Sequence, residues 1–446
     1  MKLSGALLKA TLVAALGGLL FGFDTIVISG VQQAVKELFH LDGFLQGFMT
    51  ASALIGTVIG ALVAGKPADL FGRRDSLKVA GLLYFICAIG CAMSWSFGSL
   101  VGFRFTGGLA VGASSVLGPL YLAEISPARW RGRLVAFFQF NVVLGVLLAF
   151  LSNYSLGQLN LGAAEWRWKL GVQAIPALLF LALLFFIPRS PRWLVMRGVY
   201  DEAADVLRSI GTVDVKGQVA AIRASIHEER SGRAEPLFRR AYLKPIFLAW
   251  AVAVFNQLDG INALMYYMNP IFSMAGFTKV SGDLQAVFVG IANLLATVVG
   301  MAIIDRAGRK QLLLWGAAGT GLGMAGVAWI FNGTQYHGAL VWVLVGYVIC
   351  HAFGQGTVIW VYIAEVFPNA VRAKGQAWGS FTHWFMAMLV SWTFPVLARN
   401  AGEPHAGLPF AFFALMMIVQ IVVVWRLFPE TKHVPLEEME QRVASR

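Results

Sequence analysis

The sequence predicts an all-α membrane protein of twelve transmembrane helices, arranged as two six-helix repeats. Three observations carry that prediction: long apolar runs with little charge, basic residues collected on alternate connections, and two charged motifs that occur once in each half. Of 446 residues, 58% are hydrophobic and 13% charged, with a mean hydropathy of +0.69. A soluble domain carries about 25% charged residues, so the composition excludes an ordinary soluble enzyme or binding domain. Runs near 20 residues match a hydrocarbon core roughly 30 Å thick. Alternating ten-residue segments are absent, which favours helices over a barrel.

Taken in order, the apolar runs place spans 1 to 12 at 10–30, 45–65, 77–95, 99–122, 134–154, 168–187, 245–268, 284–304, 312–331, 339–363, 376–398 and 408–428. The first follows Lys2 and Lys9 as a signal peptide would. It lacks a small-residue cleavage site and continues past Asp24, so it is read as a span. An even number of spans puts both termini on one side. With the N-terminus cytoplasmic, 29 basic residues fall on that side and 5 on the other, and the remaining one, Arg104, lies within a span. That asymmetry sets the orientation, both termini cytoplasmic, and explains a net charge of +12 without any nucleic-acid partner. Cys87, Cys91 and Cys350 all lie in apolar runs and give neither a disulfide framework nor metal spacing.

The one long connection, 188–243, divides the chain into an N-terminal half (1–187), a cytoplasmic helical linker (188–243), a C-terminal half (244–428) and a tail (429–446). Ala203, Val206, Leu207 and Ile210, and then Val219, Ile222 and Ile226, fall at helical spacing in the linker. The halves repeat. Asp69-Leu-Phe-Gly-Arg73-Arg74 follows span 2, and Asp305-Arg-Ala-Gly-Arg309-Lys310 follows span 8. Glu124-x-x-Pro-x-x-x-Arg131 ends span 4, and Glu365-x-x-Pro-x-x-x-Arg372 ends span 10. Gly72 and Gly308 permit turns there. Glu124 with Arg131, and Glu365 with Arg372, offer charge-assisted partners at the same face. A network of that kind would hold a cytoplasmic gate shut; the alternative is that these residues only anchor the chain at the surface. Parallel six-span repeats are a recurring architecture of secondary transporters, with substrate near the midplane.

Asp24 stands in the middle of the apolar stretch Leu16–Gly30. An acid at the helix centre costs about 2.5–3.5 kcal/mol on insertion scales and is by default a functional-site candidate. The alternative is a packing pair with a cation, for which Arg104 is the natural partner.

Across these motifs the chain resembles the sugar porter family of the major facilitator superfamily. The likeness covers nearly the whole chain: GxxxDxxGRR at Gly65–Arg74, RxxGG at Arg104–Gly108, the Glu-Pro-Arg signature at Glu124–Arg131, PxSPRWL at Pro188–Leu194, NQLxGINxxxYY at Asn256–Tyr267, DRAGRK at Asp305–Lys310 and PETK at Pro429–Lys432. The resemblance implies a major facilitator fold that moves a monosaccharide by alternating access. It makes Asp24 the proton site, interacting with Arg104. It also implies sugar contacts from Gln139, Asn256, Gln257, Asn262 and Asn293, whose amides both donate and accept, with aromatic faces from Trp360 and Trp384. Phe21 shares the face of Asp24. Gly260 would let span 7 unwind locally, and Tyr266 and Tyr267 beyond it would form an outer gate.

The chain also departs from the family's pattern. Asn256 stands where a Gln is usual, Val146 replaces a Gln found in some proton-coupled members, and His383 precedes Trp384 where those members have Gln. Thr357 stands where a proline is common, which would stiffen that hinge. Arg189 replaces the usual Glu of its motif. Asp259 is a second intramembrane acid with three readings open: accepting sugar hydroxyls, coupling a second ion, or pairing with His383. His351 and His383 are imidazoles that titrate near neutral pH, or else ordinary hydrogen-bonded core residues. Gly56/Gly60, Gly108/Gly112 and Gly319/Gly323 have the spacing of close helix approach.

The expected function is monosaccharide–proton symport into the cell across a bacterial inner membrane, by a monomer acting on a hexose or pentose, with no cofactor and no metal. A passive facilitator and a transporter-like sugar sensor are the competing readings. A membrane enzyme is disfavoured by the lack of hydrolase, metalloprotease or phosphate-loop motifs.

Overall fold

The computed structural model describes residues 4–231, 235–333, 337–368, 371–401 and 406–432. Among them, twelve helices are long and apolar enough to cross a membrane: Gly5–Gly30, Gly43–Val63, Arg73–Ala92, Phe97–Ile125, Arg129–Gly157, Gly162–Phe186, Arg240–Tyr266, Lys279–Ala307, Arg309–Asn332, Leu340–Glu365, Arg372–Ala398 and Leu408–Leu427. They are the twelve expected spans, with ends displaced by a few residues. Helices run on into the polar residues at their ends, because backbone bonding continues there while long basic side chains keep their charges in water. All but the first residues of the tail expected at 429–446 lie outside the described residues.

Two spans are interrupted. Span 7 stops at Leu258 and resumes as Ile261–Tyr266, with Gly260 between them in the left-handed conformation at φ 91°. Span 10 contains a π-turn, Ala352–Gly356, before Thr357. The missing proline therefore does not leave a uniform, stiffer helix. The turn is widened instead, and Thr357 Oγ1 donates to the Ala352 carbonyl at 2.6 Å. Such π-turns are frequent at functional sites.

The chain groups into two compact units, one of Met1–Val27, Ile55–Ala149 and Ala164–Arg233, the other of Ile28–Leu54, Phe150–Ala163 and Ala234–Arg446. This grouping differs from the expected six-and-six halves, because the ends of spans 1, 2 and 5 away from the basic loops belong with the second unit.

In the first unit the core is built from Leu20, Tyr84, Leu117, Tyr121 and Phe180 among others. Spans 2 and 4 touch backbone to backbone. A Cβ on Gly56 would fall on the Phe105 carbonyl, and one on Gly112 on the Thr57 carbonyl. The linker folds as Pro191–Met196, Tyr200–Ser209 and Val215–Ser231. Its apolar faces meet in a small core of Leu194, Val195, Ala203 and Val206, flanked by Val219, Ile222 and Ile226. In the second unit Leu248, Leu312, Ile359, Tyr362 and Phe367 anchor the core.

Candidate functional site

In the first unit, Asp24 and Arg104 are each 1% exposed. Arg104 Nη1 lies 3.5 Å from Asp24 Oδ2 and donates to the main-chain carbonyl of Asp24 at 3.1 Å. Cys87 Sγ approaches Asp24 Oδ1 at 3.7 Å. The guanidinium is thus held by the backbone as well as by the carboxylate, so it keeps a partner when the carboxylate is neutralised. Phe21, one turn before Asp24, is half-buried against this unit's core. Gln139 is half-buried on span 5.

In the second unit a compact amide cluster forms at the break in span 7. Gln257 Nε2 donates to Asn256 Oδ1 at 2.9 Å and lies 3.2 Å from His383 Nδ1. Asn262 Nδ2 donates to Gln257 Oε1 at 2.6 Å, five residues on and across Gly260. Asn256 Nδ2 is buried without a hydrogen-bond partner, a costly state that a ligand hydroxyl would relieve. Two indoles flank the cluster: Trp360, centred 4.8 Å from the His383 ring, and Trp384, at 5.0 Å and edge-on. Asn293 is half-buried on span 8, and Tyr266 is buried. Beyond the break, Tyr267 donates to Thr50 Oγ1 at 3.0 Å and to the Ser391 carbonyl at 2.9 Å. Gln32 in turn donates to Thr50 at 2.8 Å, and Trp392 packs on Phe44 and Phe48.

Asp259 does not pair with His383. Its Oδ2 lies 2.6 Å from His351 Nδ1, its Oδ1 accepts from the Ile261 amide at 3.0 Å, and its carbonyl accepts from Tyr347 at 3.1 Å.

The repeated motifs build the same structure twice. In the first unit Arg73 donates to Glu124 (3.0 Å), Asp69 (3.1 Å) and the Ala68 carbonyl (2.9 Å), while Ser190 donates to the other Glu124 oxygen at 2.5 Å. In the second, Arg309 donates to both Glu365 oxygens (3.1 and 2.8 Å) and to Asp305 (3.1 Å), while Thr431 donates to Glu365 at 2.6 Å. The turns that present Arg73 and Arg309 carry glycines at φ 90° and 91°. The expected Glu124–Arg131 and Glu365–Arg372 pairs are not formed. Arg131 is exposed and has no ion pair among the described residues, and Arg372 Nε donates to the Phe367 carbonyl. Each Glu ends its span facing the buried arginine of a neighbouring helix, while the chain turns at Pro127 or Pro368 before reaching the later Arg. Arg74, for its part, pairs with Asp75 at 3.1 Å and donates to the Ile187 carbonyl at 3.2 Å.

A family model described as "Sugar (and other) transporter" matches residues 10–442. The chain belongs to the sugar transporter family. It is 36% identical to the D-xylose-proton symporter of Escherichia coli (strain K12) over 473 residues, covering 98% of this chain and 96% of that protein. It is 34% identical to the glucose transport protein of Synechocystis, with 96% and 95% covered. It is 33% identical to the arabinose-proton symporter of Bacillus subtilis (strain 168), with 98% and 95% covered. Among solved structures it matches the E. coli xylose transporter in a partially occluded inward-open conformation with a TM-score of 0.86 at 34% identity, covering 97% of this chain and all of that one. This transporter is therefore a multi-pass membrane protein and not an enzyme.

Several polar contacts of the transporter escape sequence reasoning. Gln355, in the π-turn, and Gln420, on span 12, exchange two amide bonds at 2.8 and 2.9 Å, both fully buried. Their 65-residue separation hides the pair, although a glutamine within an apolar run is itself a signal. Glu430 accepts from the first two amides of span 9, Arg309 N at 2.9 Å and Lys310 N at 3.0 Å. Arg189 occupies the equivalent place beside span 3 and pairs instead with Asp75 at 3.5 Å and Glu202 at 3.6 Å.

Proposed function

We propose that the transporter is a monosaccharide–proton symporter of a bacterial inner membrane, acting as a monomer with both termini cytoplasmic. The observation that carries this reading is the buried Asp24–Arg104 pair. Removing one partner of such a pair leaves a buried charge uncompensated, at a cost of about 3–5 kcal/mol. A proton on Asp24 dissolves the ion pair while Arg104 keeps the Asp24 carbonyl, so one proton biases an element with two arrangements. The proton-coupled relatives in Escherichia coli and Bacillus subtilis agree with this assignment.

On this reading the amide cluster at Gly260 takes the sugar: Asn256, Gln257 and Asn262 exchange their mutual bonds for sugar hydroxyls, and Trp360 and Trp384 cover the ring's C–H faces. Asn293, Gln139 and Phe21 are further sugar contacts by family likeness. The two Arg–Glu clusters brace the cytoplasmic ends of their own units, and Tyr267 with Thr50 and Ser391 closes the opposite end of the second. One proton moved down the membrane potential contributes about 2.3 kcal/mol per 100 mV, enough to concentrate sugar by a few tens of fold.

The test is uptake of radiolabelled pentoses and hexoses into proteoliposomes with and without an imposed proton gradient. Wild type should concentrate its sugar only with the gradient, and Asp24→Asn should exchange sugar without concentrating it. A wild type that only equilibrates sugar, indifferent to the gradient, would make this transporter a facilitator and the pair structural.

A further inference from the structure

The second unit contains a titratable pair that the symport reading does not use. Asp259 is wholly buried and His351 nearly so, and their side chains meet at 2.6 Å. Each residue stands where its span is broken. Asp259 precedes the left-handed Gly260, and its carboxylate also accepts the amide of Ile261, the residue that restarts span 7. His351 is the last residue before the π-turn of span 10, and its Nε2 lies on the side of Gly356, where an added Cβ would come within 3.4 Å. The link therefore ties the two irregular points of this unit together.

His383 apart, the spans around this pair carry their charged side chains only near their ends. Tyr347, from His351's own span, donates to the Asp259 carbonyl. From span 11, His383 faces His351 electrostatically. Cys350 turns away, toward Gly319 of span 9. Span 7 otherwise carries only Arg240 and Lys244, near its start, and span 8 has its charges only near its ends, at Lys279, Asp283, Asp305 and Arg306. Span 9 carries Arg309 and Lys310 at its start, span 11 Arg372, Lys374 and Arg399 near its ends, and span 12 Arg426. At Gly260, spans 9 and 12 present Met324 and Phe413.

We propose that Asp259 and His351 form a second proton-binding site, and that its occupancy is linked to sugar binding. With the proton aboard, an imidazolium faces a carboxylate and the pair is neutral. When the proton leaves His351, the Asp259 carboxylate stays buried against a neutral ring that can still donate one hydrogen bond but no longer supplies a compensating charge, and the tie between the two broken spans loosens. The amide cluster senses the change because Gln257 and Asn262 flank Asp259 on the same broken span and bond each other across Gly260. The proton is exchanged with solvent and no other group is altered.

The test uses the purified full chain with Asp24→Asn in place, which removes the first proton site. D-xylose affinity and, without sugar, the thermal unfolding midpoint are followed across the neutral pH range. A linked proton changes affinity by up to about tenfold per pH unit where it titrates. The inference expects that slope to persist in Asp24→Asn and to vanish when His351→Gln or Asp259→Asn is added, while His383→Gln retains it. A flat profile in Asp24→Asn, or a slope that both added variants leave intact, overturns it. The unfolding midpoint needs no sugar, so failure to bind xylose would count against the transport reading and not against this site. Should the variants not fold, 15N-histidine NMR of the Asp24→Asn chain decides: a buried histidine that titrates in the neutral range supports the site, and silence from all of them overturns it.

Discussion

Arg309 offers an internal comparison of two ion pairs made by one guanidinium. It meets Glu365 through two parallel bonds at 3.1 and 2.8 Å, with the two side chains 10% and 23% exposed. It meets Asp305 through one bond at 3.1 Å, but the Asp305 side chain is 76% exposed. Distance alone would rank the pairs as near equals, whereas burial separates them. Bonds to charged groups are worth about 1.5–3 kcal/mol where water is excluded, and exposed pairs about 0.2–1 kcal/mol. A double-mutant cycle with Arg309→Gln and Glu365→Gln should give a coupling near 2–3 kcal/mol, and the cycle with Asp305→Asn less than about 0.5 kcal/mol. Reversible unfolding of the purified protein in mixed micelles reads both, and the Asp305 cycle should shrink further with salt. Equal couplings in the two cycles, or none in either, would refute the argument that burial sets the strength of this network.

Three further outcomes follow from the same geometry. Glu430→Gln should destabilise the second unit by about 1–2 kcal/mol, because it weakens the cap on the first amides of span 9; Arg189→Gln should cost under about 1 kcal/mol, since its pairs are long and its side chain is 39% exposed, and comparative unfolding of the two variants checks the asymmetry. Gly260→Ala should abolish sugar binding and cost roughly 2–4 kcal/mol, from the left-handed backbone and from a Cβ within 2.8 Å of Phe413 and Met324, as calorimetry and unfolding will show. Asp24→Asn should uncouple sugar movement from the proton gradient, and the pH dependence of exchange that remains should be that of the Asp259–His351 pair and disappear when His351→Gln is added, as exchange assays at several pH values will test.

The spans were legible because the membrane demands about 20 apolar residues at each crossing, a local property of sequence. The Asp24–Arg104 pair was legible for a similar reason: a charge inside a span needs a partner, and span 4 contained the only arginine away from a span end. Partners of the other acids were not. Glu124 has Arg131 seven residues away in sequence, yet bonds Arg73, 51 residues away, because the turn at Gly72 delivers that guanidinium into the protein while Arg131 begins its helix in the open. Asp259 has His383 on a facing span, yet bonds His351, because the break at Gly260 and the π-turn at 352–356 re-aim both side chains. Irregular backbone of that kind depends on tertiary packing, and residue spacing carries little trace of it.

The two repeats also show how a substitution can be accommodated where its motif would forbid it. Pro188-Arg189-Ser190 and Pro429-Glu430-Thr431 hold equivalent places: each proline carbonyl accepts a tyrosine hydroxyl, from Tyr121 at 2.8 Å and from Tyr362 at 3.4 Å, and each following hydroxyl bonds the span-ending Glu. Ser190 and Thr431 both supply a hydroxyl, so the middle residue carries the difference, and it differs in sign. Glu430 serves the positive end of span 9, as an acid at a helix N-terminus should. Arg189 would oppose the same dipole at span 3, but Asp75 stands in the first turn of that span and holds Arg74, Lys78 and Arg189 around one carboxylate. The acid stands inside the helix in the first repeat and beyond the last span in the second, where Gln311 holds the place of Asp75. An acid is kept at each turn, while the direct tie to the first amides of the helix is replaced at span 3 by a longer, more exposed pair. The first repeat's lock is accordingly the weaker of the two at this point, and the first unit's linker is the part of the basic face that should release with less work.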